Sequence, residues 1–173
     1  MTWFYRNPNE TTFTDIALDL TSPPATDDHV ADLFAVFLWR SAEKYGYRIP
    51  DSAGGGIVDR ARRLLRPATS EDARALAAIR DPNGMTPELL DVSWMSFFAT
   101  GDTRHLDRIL KATQGISGEN VINLVAGTAQ WSFKSNCQQH PAILAYARER
   151  RRMPRNDEEA TFLDDCIKFA EQR

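Results

Sequence analysis

The stretch from Met85 to Leu110 constrains the fold of this chain more than any other. Thr86-Pro87 opens it with a capping hydroxyl followed by proline at the first helical position. Leu90, Trp94, Phe97 and Phe98 then recur at helical spacing. Gly101 stops this helix and Asp102 is the expected cap of the next, whose apolar stripe is Leu106, Ile109, Leu110 and Thr113. Two amphipathic helices joined by so tight a turn pack side by side, because neither buries its apolar face alone.

Similar punctuation divides the rest of the chain. Thr26 or Asp27 can cap a first helix carrying Val30, Leu33, Phe34, Phe37 and Leu38, with Gly46 as its stop. Asp51 to Gly56 is expected as a flexible loop, followed by a second helix on Ile57, Val58, Ala61, Leu64 and Leu65. Thr69, with Asp72 three residues on, forms a near capping box for a third, and Asn83-Gly84 breaks the chain. Beyond a turn at 115–118, a sixth helix runs towards Gln139 with Val121, Ile122, Val125, Ala129 and Phe133 on one face. Leu124, Thr128 and Trp131 are expected to widen that face, which makes this helix central. Pro141 opens a seventh helix, and Asn156 caps an eighth with Leu163, Cys166, Ile167 and Ala170 inside. Residues 1–25 read as an irregular segment whose Trp3, Phe4 and Tyr5 dock onto the core, with a short strand or helical turn between Thr12 and Leu20.

No long alternating segment bounded by hairpin turns occurs. The expected fold is therefore all-α: one domain over 26–173 of about seven or eight antiparallel helices. A hydrophobic fraction of 42% and a charged fraction of 26% are those of a globular chain able to bury a core. The net charge of -3 argues against general nucleic-acid binding. No leader and no apolar run long enough to span a bilayer stand out, so a cytoplasmic protein without a membrane role is expected. Cys137 and Cys166 form no CxxC motif and are expected as free thiols of a reducing compartment.

Shifting the Met85–Leu110 pair by 37 residues places Trp94 on Trp131, Leu106 on Ile143 and Ile109 on Tyr146. On Trp94, Phe98, Ala99, Gly101, Asp102, Leu106 and Leu110 the chain resembles tetratricopeptide-like helical-hairpin repeats. Phe97-Phe-Ala-Thr-Gly-Asp102, followed later by Ser135-Asn-Cys-Gln-Gln-His-Pro141, is also similar to small bacterial all-helical proteins. The resemblance implies a repeat-like C-terminal half in which Trp94 and Trp131 are core anchors.

Little in the sequence suggests catalysis. His29, His105 and His140 lack metal-ligand spacing, and no metal or other cofactor is expected. Asp102 with His105, or Cys137 with His140 and Lys134, could in principle form a catalytic pair, though no third group is evident to orient either. Gly54-Gly55-Gly56 ahead of Arg60, Arg62 and Arg63 could cradle a phosphate, but Ile57-Val58 stand where a Walker motif needs Lys and Ser or Thr; a mobile linker is the expected reading. Arg148, Arg150, Arg151 and Arg152 form the densest charge, which can favour a helix C-terminus, pair with Asp157-Glu158-Glu159 or meet an acidic partner. The sixth helix has an amide-rich side without carboxylates.

The function expected is a non-catalytic protein-binding module, by fold-level analogy of the adaptor, chaperone or toxin-neutralising immunity type. Its candidate contacts are Asn123, Gln130, Lys134, Arg148, Arg150, Arg151 and Arg152. The opposing readings are a small enzyme built on the pairs above and the subunit of a structural homo-oligomer.

Overall fold

The computed structural model describes residues 4–22, 27–80, 84–114 and 120–172, with side chains throughout except at 71, 75, 78, 80 and 120–123. The fold is all-α: among the described residues there are nine α-helices, one 3-10 turn and no strand. The helices are α1 (Glu10–Asp19), α2 (Asp28–Tyr45), α3 (Gly56–Leu65), α4 (Ser70–Arg80), α5 (Pro87–Thr100), α6 (Arg104–Ala112), α7 (Asn120–Gln139), α8 (Pro141–Arg150) and α9 (Asp157–Glu171). The chain clusters into two compact units. One comprises Met1–Gly84 with Asp91–Asp102, the other Met85–Leu90 with Thr103–Arg173.

Capping chemistry sets most of the helix ends. The Asp27 carboxylate accepts from the Val30 amide at 2.8 Å, and Gly46 ends α2 with φ +73°. Thr69 and Asp72 bond reciprocally: each side chain accepts from the other's amide, at 3.0 and 3.2 Å. Asn156 accepts from the Glu159 amide at 2.8 Å to start α9. At the start of α6 the boundary residue is Thr103 rather than the expected Asp102.

In the first unit, α2 is the hub. Residues 35–39 of α2 are all buried, so its middle is enclosed on every side. Phe37, Leu38 and Ala42 share a core with Phe13, Ile57 and Val58, while Val36 and Trp39 pack with Leu76. The N-terminal segment is more regular than expected. Phe4–Arg6 form a 3-10 turn, and Thr12 to Leu20 fall within and just past α1 because Asn9 caps it through the Thr12 amide at 2.8 Å. Docking of the aromatics holds for Phe4, edge-on to Phe37 at 5.4 Å, and for Tyr5, 5.0 Å from Phe97; Trp3 lies outside the described residues.

The expected mobile glycine linker is a built turn. Gly55 has φ +93°, and a Cβ there would stand 2.9 Å from the Thr21 carbonyl oxygen. Ala53 is buried, its amide bonded to the Pro50 carbonyl at 3.0 Å. Arg60 ties α3 to α2, pairing with Asp32 at 2.6 Å and Asp28 at 3.3 Å.

In the second unit α7 is the hub, packing on α6, α8 and α9. Leu106, Ile109 and Leu110 of α6, Ile143 of α8 and Leu163 of α9 are all fully buried. Phe133 lies among them, 5.9 Å from the Phe162 ring and 6.3 Å from that of Tyr146.

Candidate functional site

The helix α7 has two unlike faces. Val125, Ala126, Ala129, Phe133 and Cys137 are buried. Leu124 is 68% exposed and Trp131 73% exposed. Leu124, Gly127, Thr128 and Trp131 instead line a surface hollow of about 290 Å³.

This corrects the expectation that Leu124, Thr128 and Trp131 broaden the buried face and that Trp131 anchors the core. The reason is angular. At about 100° per residue, positions 125, 129 and 133 cluster on one side of a helix and 124, 127, 128 and 131 cluster roughly opposite. One helix cannot turn both groups towards α8 and α9. The internal match also fails at this position: Trp94 is buried and 5.9 Å from Phe98, whereas Trp131 faces solvent.

The amide-rich side of α7 is partly committed to internal bonds. Gln130 Nε2 donates to the Thr113 carbonyl at 2.9 Å, and Lys134 Nζ sits 5.0 Å from the centroid of the Phe169 ring. The side chain of Asn123 lies outside the described residues.

Three of the four candidate arginines hold α8 to α9. Arg148 pairs with Glu171 at 2.6 Å. Arg151 grips Asp164 with two parallel bonds, at 2.7 and 2.8 Å. That contact raises the pKa of Arg151 and lowers that of Asp164. Arg152 is exposed and makes no ion pair with the described residues.

Arg150 makes the pairing expected with the acidic segment, through Glu159, and does so inside a buried network. The Glu159 side chain is fully buried, and its Oε1 accepts from Arg150 Nε at 2.9 Å and from the Arg155 amide at 3.2 Å. Its Oε2 accepts from Gln114 Nε2 at 3.0 Å and lies 3.4 Å from Arg155 Nη1. Arg155 also reaches Asp107 at 3.4 Å, and the Tyr146 hydroxyl donates to the same Asp107 oxygen at 2.7 Å. Burial, followed by this bond, raises the Tyr146 pKa. The network joins α6, α8, α9 and the turn between the last two, and every partner named is internal.

The fold does not prepare Cys137 as a nucleophile. Cys137 is buried against the Cys166 thiol, and that contact, then burial, holds the Cys137 thiol far above its ordinary pKa. A thiol kept protonated is a poor nucleophile. His140 is buried and starts α8, accepting at its carbonyl from the Ile143 and Leu144 amides. His105 is likewise buried in α6. Among the described residues, no group of three or more His, Cys, Asp or Glu side chains is arranged to hold a metal ion, and no helix is long and apolar enough to cross a membrane.

Comparison with family models, with curated proteins and with solved structures returns no match to this chain.

Proposed function

We propose that this protein is a non-catalytic binding module and that the outer face of α7 receives a short apolar helix from a partner protein. The reading rests on the exposure of Trp131 and Leu124 on one helix face, with no charged residue in the span 124–131. Tryptophan is the residue type most enriched among the energetic anchors of protein interfaces. Gly127, where an added Cβ would meet nothing within 4 Å, leaves a notch between the two large side chains. A ridge, a notch and a second ridge, spaced over two helical turns, suit a helix packed across them.

Area argues for a small occupant. Two side chains of this size expose on the order of 300 Å² together, well short of the roughly 800 Å² per partner of a stable interface. A durable homodimer would need surface beyond this stripe; a short helix that inserts one or two apolar residues would not. The absence of charge on the stripe favours an apolar occupant over an acidic or basic one.

A displayed library of amphipathic helical peptides, panned on the intact chain and counter-selected on the Trp131→Ser variant, tests this. Enrichment of peptides with apolar residues three and four apart, which lose binding to Trp131→Ser, is the expected result. Peptides that bind both proteins equally, or no enrichment, would overturn the assignment to α7.

A further inference from the structure

We propose that the first unit carries an anion site, in the cleft between the α2–α3 connection and the outer side of α3, that takes a small phosphate-bearing ligand. The cleft measures about 820 Å³, and Tyr47, Arg48, Asp51, Arg62, Arg63 and Arg66 supply its polar lining. Four arginines and one carboxylate line it, and Asp59 and Asp72 stand beside Arg62 and Arg63, so four positive charges meet three negative ones in a chain whose net charge is -3. Such a local excess of positive charge, set in a concave surface, focuses the field on small anions. The volume lies within the roughly 300–1,000 Å³ range of small-molecule sites.

One wall is built in advance. Arg62 Nη2 donates to the carbonyls of Pro50 and Ala53, both at 2.7 Å, while Nη1 meets Asp59 at 3.1 Å. Those bonds fasten the connection to α3. Ile49 and Ala53 are buried at its inner side, so the cleft keeps its shape without a ligand. Tyr47 is held by stacking on Tyr45 at 5.5 Å and by Phe13 at 5.5 Å, and offers a fixed apolar edge for the organic part of a ligand.

The other three arginines are exchangeable. Arg48 pairs with Asp51 at 2.6 Å, but both side chains are about four-fifths exposed. A surface pair of this kind is weak and yields to a multiply charged anion. Arg63 stands 4.0 Å from Asp72, the outer limit of an ion pair. Arg66, just past the end of α3, makes no ion pair with the described residues. Guanidinium forks match pairs of phosphate oxygens, and a phosphate group presents enough oxygens to engage more than one fork.

The test is calorimetric titration of the full chain with inorganic pyrophosphate, with citrate as a polyanion lacking phosphate. Saturable binding of pyrophosphate that weakens as salt rises, and is tighter than binding of citrate, is expected. The Arg63→Glu/Arg66→Glu variant should lose at least about tenfold in affinity, equivalent to about 1.4 kcal/mol. Asp51→Asn should bind more tightly, a gain that damage to the fold would not produce. No saturable heat at millimolar pyrophosphate, equal affinity for citrate, or an Asp51→Asn variant no tighter than the parent would overturn the proposal.

Discussion

Phe133 and Trp131 stand two positions apart on one helix and have opposite fates. Phe133 is fully buried between α8 and α9, and Trp131 is largely in solvent. Phe133→Ala should therefore cost about 3–5 kcal/mol through lost burial and a residual cavity. Trp131→Ala should change stability by less than about 0.5 kcal/mol while weakening partner binding. Urea denaturation of the two variants checks the contrast. Glu159 makes a different case, since a buried carboxylate gains little over an apolar residue but is costly to orphan. Glu159→Gln removes the carboxylate that pairs with Arg150, whose side chain is 25% exposed. A loss of about 2–3 kcal/mol is expected, below that for a fully buried pair because the guanidinium reaches water. A urea midpoint within error of the parent would show that the network contributes little.

At the scale of helices and turns, local signals decided most boundaries. Asp27, Thr69 with Asp72, and Asn156 cap where their side chains can reach a free amide, and such bonds depend only on near neighbours in sequence. Glycine shows the limit of that logic. Gly55 reads as slack in the sequence, yet its positive φ and the nearby Thr21 carbonyl make it a tight corner. Gly55→Ala should destabilise by about 1–3 kcal/mol, seen as a lowered Tm. Gly127 sits within α7 with open space above it, so Gly127→Ala should stabilise by up to about 1 kcal/mol. The same methyl group fills the notch beside Trp131, and selected helical peptides should bind this more stable variant less well. Unchanged peptide binding would mean that the notch is not used.

For the molecule as a whole, alkaline pH tests both units at once. Tyr5 and Tyr45 in the first unit have raised pKa values, chiefly through burial. Tyr146 in the second is raised by burial and then by its bond to Asp107. Unfolded tyrosine titrates near pH 10, so above about that pH the unfolded chain releases phenolic protons that the folded chain retains. Stability from these groups is complete below pH ~10 and falls as pH rises through the folded values. Tyr146→Phe should lower stability at neutral pH by about 1 kcal/mol and flatten its decline above pH ~10. Parallel pH curves for parent and variant, read by urea midpoints, would contradict this. The all-α class and the spans of most helices were legible in the chain, because caps, proline and 3.6-residue periodicity act over a few residues. Which side of α7 faces its neighbours came from packing, because two apolar groups on opposite sides of one helix look equally buriable until α8 and α9 are placed. Packing likewise set the partners of Arg148 and Arg151, Glu171 and Asp164, which lie 23 and 13 residues away, whereas pairing of the arginine cluster with the acidic segment at 157–159, which Arg150 makes through Glu159, was legible in the sequence.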